Sequence, residues 1–132
     1  MSQKRLMYLP LGGAGEVGMN CYVYGYGPRD KERLIVVDLG VTFPDMDSSP
    51  GVDLIIPDIA WLEARKDRID GVFITHAHED HFGAVPYLWQ ALRCPVYATP
   101  FAAAVLRKKS AWRGSPSPEP LIEVLPGETH TI

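Results

Sequence analysis

Three of the four histidines of this 132-residue chain, His76, His78 and His81, fall within a single six-residue run, with Asp80 among them. Imidazole and carboxylate are the donors of zinc-type metal sites. The run comes directly after Gly71 to Thr75 (GVFIT), a short apolar stretch rich in β-branched residues that predicts a buried strand. Residues two apart on an extended segment point to the same side, so His76 and His78 can reach one cation. The chain then turns into a helix near Asp80, which swings Asp80 and His81 elsewhere, towards a second cation. Two cations about 3.5–4 Å apart share a water, lower its pKa and clamp both oxygens of a phosphoryl displacement. Ordinary surface-loop histidines are the plainer alternative. That alternative suits one histidine better than three with an aspartate in this register.

A second pattern competes for attention. Gly13-Ala14-Gly15-Glu16-Val17-Gly18 matches G-x-G-x-x-G after a short strand, and Asp38 ends another strand 20 residues past Gly18. Dinucleotide binding needs a helix directly after the last glycine, whose N-terminus holds the pyrophosphate. The next residues are instead Met19-Asn20-Cys21-Tyr22-Val23-Tyr24-Gly25, aromatic and β-branched, with a Gly27-Pro28 stop close behind. No dinucleotide is expected. The glycines read as a tight turn whose backbone packs close to the metal loop.

The elements that must position the histidines can be read from periodicity and punctuation. Met7 to Leu11, Asn20 to Tyr26 and Leu34 to Val37 read as strands in a meander, the last (LIVV) buried on both faces. From Asp38 to about Pro57 the chain is irregular, and it includes Phe43-Pro44-Asp45; a loop this long is usually functional. Ile59 to Lys66, Tyr87 to Arg93 and Phe101 to Lys109 have helical spacing, the last two with a proline near the start. Pro95 to Ala98 and Leu121 to Val124 are short strands, and residues 127–132 look like the opening of another. Strands alternating with helices after a meander predict an α/β sandwich.

Composition sets outer limits. Hydrophobic residues are 46% and charged residues 22% of the chain, as in ordinary globular domains. Net charge is −3, so binding to nucleic acid through bulk positive charge is excluded and any such binding must be local. No apolar run reaches membrane-spanning length, and no export signal is evident, which implies a cytoplasmic protein with Cys21 and Cys94 reduced and partly buried. Arg107, Lys108, Lys109 and Arg113 form a basic cluster, read as helix C-terminal cations facing solvent in preference to nucleic-acid contacts. Trp61 and Trp89 read as core; Trp112 is left open.

The run THAHEDH, Thr75 to His81, resembles the metal-binding signature of the metallo-β-lactamase fold superfamily. The flanks narrow the resemblance. LGGAGEVGMNCYVY (Leu11 to Tyr24), IVVDLGVTFPD (Ile35 to Asp45), GVDLIIPDIAWLE (Gly51 to Glu63), GVFITHAHEDHFGAVPYLW (Gly71 to Trp89) and CPVYATPFAAAVLRKK (Cys94 to Lys109) are together similar to the N-terminal part of ribonuclease J, the β-CASP ribonuclease of messenger-RNA decay and ribosomal-RNA maturation. The resemblance implies an α/β fold that is the N-terminal half of a metallo-β-lactamase αββα sandwich. It implies two Zn2+ ions and 5′-to-3′ exonuclease and endonuclease action on RNA by metal-activated water. Carried over by position, His76 and His78 would ligate the first zinc and Asp80 and His81 the second, with Asp80 the candidate catalytic residue. Asp38 would support the metal loop without being a ligand. Substrate-binding residues are not identified.

The family's remaining ligands, a third histidine on a later strand, a bridging aspartate and a last histidine, have no counterpart here, nor has the β-CASP domain. His130 lies beside a Pro126-Gly127 turn, earlier than the family's ligand histidine, and is read as structural or solvated. Residues 1–132 are therefore expected to be the first part of the domain and inactive alone, with RNA the partner of the full-length protein. Sheet surface left uncovered predicts a homo-oligomer. Two other readings stay open: another hydrolase of this fold (thioesterase or lactonase), or a non-catalytic half-domain that binds metal or a partner.

Overall fold

The computed structural model describes residues 3–44 and 51–132. Six strands form one mixed sheet in chain order: β1 (Lys4–Gly12), β2 (Cys21–Pro28), β3 (Arg33–Val37), β4 (Ile69–Ile74), β5 (Val96–Ala98) and β6 (Leu121–Glu123). The first three pair antiparallel, as the meander predicted, and β3 to β6 pair parallel through crossovers. The crossovers carry α1 (Ala60–Glu63) with a 3-10 turn at Lys66–Arg68, then α2 (Glu79–Phe82), α3 (Val85–Leu92) and α4 (Pro100–Trp112). Thr99 caps α4, its hydroxyl accepting from the Ala102 N–H, and Pro100 sits in the first turn, where its missing N–H costs nothing.

Alternation along the strands divides the sheet into two unlike faces. Cys21, Val23, Leu34, Val36, Val72, Ile74, Val96 and Ala98 are buried beneath the helices, which contribute Leu62, Phe82, Val85, Leu92 and Leu106. The opposite face carries Leu6, Tyr8, Tyr24 and Tyr26, all exposed, beside the half-buried Ile35, Val37, Phe73 and Tyr97. Register puts these side chains on one surface: Leu6 opposes Tyr26, Tyr8 opposes Tyr24, and Val37 opposes Phe73. Tyr97 lies parallel to Phe73, ring centroids 4.6 Å apart.

Two sequence expectations need correction. The LIVV strand is not buried on both faces: Leu34 and Val36 are covered, whereas Ile35 and Val37 are only half-buried, because the described helices all lie on one side of the sheet. Residues 127–132 do not open a strand. They come after a turn closed by the Glu128 N–H on the Leu125 carbonyl and stay exposed and unpaired with the sheet. The long loop after Asp38 is braced by an isolated antiparallel bridge, Thr42 to Ile55; Asp45 lies outside the described residues.

Candidate metal centre

The histidine run begins where β4 ends, at the C-terminal edge of the parallel strands. Thr75 leaves the strand, His76 and Ala77 form a bend, His78 is extended, and α2 starts at Glu79. Asp38, at the corresponding end of the neighbouring β3, faces this bend. Its backbone takes the left-handed conformation (φ 65°), which aspartate tolerates better than most residues but which still costs of order 1–3 kcal/mol. That geometry turns a buried carboxylate onto the loop. Asp38 Oδ1 accepts from the Thr75 N–H (2.8 Å), Thr75 Oγ1 lies 3.0 and 2.9 Å from the two carboxylate oxygens, and His81 Nδ1 is 2.6 Å from Oδ2.

These contacts dictate proton positions. A carboxylate only accepts, so His81 carries a proton on Nδ1 and presents Nε2. The single Thr75 hydroxyl proton goes to the charged acceptor, Asp38. Thr75 Oγ1 therefore accepts from His76 Nδ1, 2.9 Å away, and His76 too presents Nε2. Both rings are held by one nitrogen with the other left for a ligand, the arrangement typical of metal-binding histidines.

The three rings converge. His76 lies 4.6 Å from His78 and 4.1 Å from His81, centroid to centroid. Asp80 Oδ2 is 3.5 Å from His81 Nε2, and its side chain is 42% exposed. The tight turn into α2 folds His81 back against His76, so the three rings lie in one cluster. The donor set, three imidazoles and a carboxylate, fits a zinc-type metal in chemistry. Among the described residues no three His, Cys, Asp or Glu side chains are arranged as a finished metal cage.

Backbone contacts lock the run to the loop after β3. The Val41 N–H donates to the Glu79 carbonyl, Leu39 N–H to that of His81, and Asn20 N–H to that of Asp80. Gly40 has no room for a side chain: a Cβ there would lie 1.7 Å from the Asp80 carbonyl oxygen. The glycine turn after β1 serves the same packing. A Cβ on Gly13 would strike Tyr22 Oη and Asn20 Oδ1, and Asn20 bonds to the metal loop. Gly18 is succeeded by Met19, Asn20 and then β2, so the helix that dinucleotide binding demands is replaced by a strand.

Other singled-out residues fall outside the cluster. The side chain of His130 lies 3.5 Å from Glu128, in the exposed C-terminal segment. Of the basic cluster, Arg107 pairs with Glu123 (2.8 Å), Lys109 pairs with Glu79 beside the histidines, and Arg113 stacks 4.0 Å over Tyr87. They are tied to the protein more than the sequence suggested. Trp61 and Trp89 pack against the core, and Trp112 is 90% exposed. Cys21 and Cys94 are free thiols, both buried. Burial, reinforced by the Asp38 charge, pushes Cys21 up to about 12; burial and Asp70 push Cys94 up to about 11. No described helix is long and apolar enough to cross a membrane.

Residues 14–131 match the family model of the metallo-beta-lactamase superfamily. This chain belongs to that superfamily. Membership implies a metal centre, and the resemblance to ribonuclease J holds at the level of sequence. The chain is 50% identical over 118 residues to a ribonuclease J of Sinorhizobium meliloti, a match covering 89% of this chain and 21% of that protein. It is 43% identical over 108 residues to a ribonuclease J of Helicobacter pylori (82% and 15%) and 46% identical over 101 residues to one of Mycolicibacterium smegmatis (75% and 17%). The chain thus spans about a fifth of the length of these relatives. Among solved structures, a metallo-beta-lactamase from Pontibacter korlensis aligns with all of this chain and 53% of its own, at 16% identity and a TM-score of 0.45.

Thr75, Asn20, Tyr22 and Gly40 escaped the sequence reading. Thr75 sits inside the motif and was visible there; Gly40 comes after Asp38-Leu39 as an apparent strand terminator. Nothing in the local pattern around Asn20 announces its contact with a run 60 residues away.

Proposed function

We propose that this chain is the N-terminal part of the metallo-β-lactamase domain of a zinc-dependent ribonuclease of the ribonuclease J type. Its substrate is RNA, cleaved at the phosphodiester from the 5′ end or internally. His76 and His78 hold one zinc and Asp80 and His81 the other, and the remaining ligands lie further along a longer protein, as does the β-CASP domain. When bound, zinc supplies Lewis-acid chemistry, lowering the pKa of water and polarising phosphoryl oxygens. Asp38 and Thr75 hold His81 and His76 by their Nδ1 atoms, so the ligand nitrogens are aimed before metal arrives. Asp80, on the open side of the cluster, is the carboxylate placed to meet the reacting water. With two ligands for each metal, this chain alone does not turn over.

The observation that carries the reading is the convergence of the three rings on the Asp38-braced end of β4, in a chain half identical to a ribonuclease J. Two free, buried thiols accord with a reducing cytoplasmic setting. The exposed aromatic face of the sheet supports self-association of the chain when it is alone.

A chimera tests the proposal. This chain replaces the matching 118-residue segment of the Sinorhizobium meliloti relative, and zinc content and hydrolysis of 5′-monophosphorylated RNA, thioesters and lactones are measured. Expected are two zinc ions and RNA cleavage, with both reduced by His78→Ala. A folded, metal-loaded chimera that hydrolyses small esters and leaves RNA intact would overturn it in favour of a different hydrolase.

A further inference from the structure

Helix α4 ends in an exposed aromatic and basic corner that the histidine cluster does not use. Val105, Lys108, Lys109 and Trp112 stand three or four residues apart, so they share one face of the helix. They line a shallow hollow of about 360 Å³. On the other side of Trp112, a cleft of about 220 Å³ is floored by Leu54, Pro86 and Tyr87 and bordered by Lys109 and Arg113. The indole thus stands between two hollows, 90% exposed, at the last residue of the helix. Arg113 lays its guanidinium over the Tyr87 ring and donates to Tyr87 Oη, which keeps a second flat group beside the cleft.

The structure divides the basic cluster in two. Arg107 is neutralised by Glu123 and Lys109 by Glu79, which also borders the cleft. Among the described residues, neither Lys108 nor Arg113 pairs with an acid. Two free cations therefore flank Trp112 in a chain whose net charge is −3. Singly exposed apolar residues are ordinary on protein surfaces. An indole set between apolar hollows and free cations has instead the makeup of a site for single-stranded nucleic acid, where bases stack on aromatic faces and backbone phosphates meet Lys or Arg. The cations favour a polyanion over a protein partner at this position.

We propose that Trp112, with Lys108 and Arg113, is a binding subsite for single-stranded RNA, one base stacking on the indole and the neighbouring phosphates meeting the two cations. This rests on the reading of RNA as the substrate. Stacking of this kind is sequence-tolerant, because every base has a π-face. Glu79 belongs both to the cleft and to α2, the helix that carries Asp80 and His81. A strand held here is anchored beside that helix without touching its candidate ligands, so the subsite governs affinity and not the chemical step.

The test titrates this chain, freed of metal, with a short single-stranded oligoadenylate at low salt and follows tryptophan emission. Trp61 and Trp89 pack against the core, so the difference between wild type and Trp112→Phe isolates the Trp112 signal. Oligoadenylate should quench that signal. Trp112→Ala should weaken binding by about 5-fold or more, the loss of one stacked base. Lys108→Gln should make the fall of log affinity with log salt shallower by about 0.7, the loss of one phosphate contact. Both side chains are exposed, so neither substitution disturbs the fold. Absence of quenching, or affinity and salt dependence unchanged in both variants, would overturn the subsite. So would Trp112 emission that shifts with protein concentration alone, the mark of a protein contact. In the chimera with the ribonuclease J relative, Trp112→Ala should raise KM for RNA and leave kcat nearly unchanged; an unchanged KM overturns the subsite but not the proposed function. A chimera that leaves RNA intact counts instead against the function, because the quenching is read without metal or turnover.

Discussion

Asp38 and His81, 43 residues apart in sequence, are joined by a 2.6 Å contact between Oδ2 and Nδ1. The same carboxylate holds Thr75, so one buried group fixes both ends of the histidine run. Removing it in Asp38→Ala leaves the Thr75 N–H and the His81 Nδ1–H without their acceptor and frees both rings. Each stranded donor costs about 1–3 kcal/mol if it stays buried, offset in part by relief of the left-handed backbone. We expect a loss of about 2 kcal/mol in urea unfolding and a fall in zinc affinity of at least about 10-fold. Asp38→Asn should recover much of the stability, because it keeps one acceptor oxygen, but not the affinity. A variant with wild-type zinc binding would show that Asp38 supports the fold alone.

Gly40 gives a sharper steric case. Its φ is not in the left-handed region, so backbone preference does not demand glycine; the approach of the Asp80 carbonyl does. The obstructing atoms at 1.7 and 2.1 Å are backbone, held by the Asn20 N–H, and cannot swing away. Gly40→Ala should therefore cost at least about 2–3 kcal/mol, at the upper end of overpacking effects. Thermal unfolding checks this, with Gly15→Ala as a spatial control, since nothing lies within 4 Å of the Cβ it would carry. Gly15 has a positive φ (74°), so only a modest loss is expected there.

The histidine run was legible because its chemistry is local: donor residues at short spacing, next to a strand. The nine-residue β1 and the thirteen-residue α4 were read at nearly their true places, the strand several residues too short because Lys4, Arg5 and Leu6 show no burial pattern. The uncovered sheet face was misread at Leu34 to Val37 because an apolar run looks the same whether one side or two are covered. The contact of Asn20 with Asp80 and the Lys109–Glu79 pair were invisible for a different reason. Each joins segments at least 30 residues apart, and register of that kind is set by the sheet and its crossovers.

Glu32 couples stability to acid. Its carboxylate is buried (2% exposed) between Arg5 Nε at 2.6 Å and Arg68 Nη1 at 3.1 Å, tying β1 to the turn before β4. Its own backbone N–H and then the Arg5 guanidinium hold its pKa below the ordinary 4.5, against the opposing effect of burial. A carboxyl with a lowered folded pKa binds fewer protons folded than unfolded. Its stabilisation is thus complete above pH 4.5 and is lost as pH falls through the folded value. Glu32→Gln should lower the melting temperature at pH 7 and flatten its decline between about pH 5 and 3. An equally steep acid limb in the variant would place the sensitive group elsewhere.

The aromatic face of the sheet bears on how the chain behaves in solution. Leu6 is 76% exposed, Tyr8 52% and Tyr26 58%, on neighbouring strands, and Ile35 and Val37 of β3 lie between them and the Phe73–Tyr97 stack. Contiguous apolar surface of this kind marks an interaction site or drives association. Arg33, paired with Asp70 at one margin, bounds the patch and leaves its centre open. Sedimentation should therefore show a mass above 14.6 kDa that grows with concentration. Tyr8→Lys with Tyr26→Lys, which set two positive charges on the same surface, should restore the monomer with little change in unfolding, because both side chains are already mostly in water. A wild-type chain that sediments as a monomer at all concentrations would mean that the tyrosine hydroxyls keep this face wetted, and that no second copy is needed to cover it.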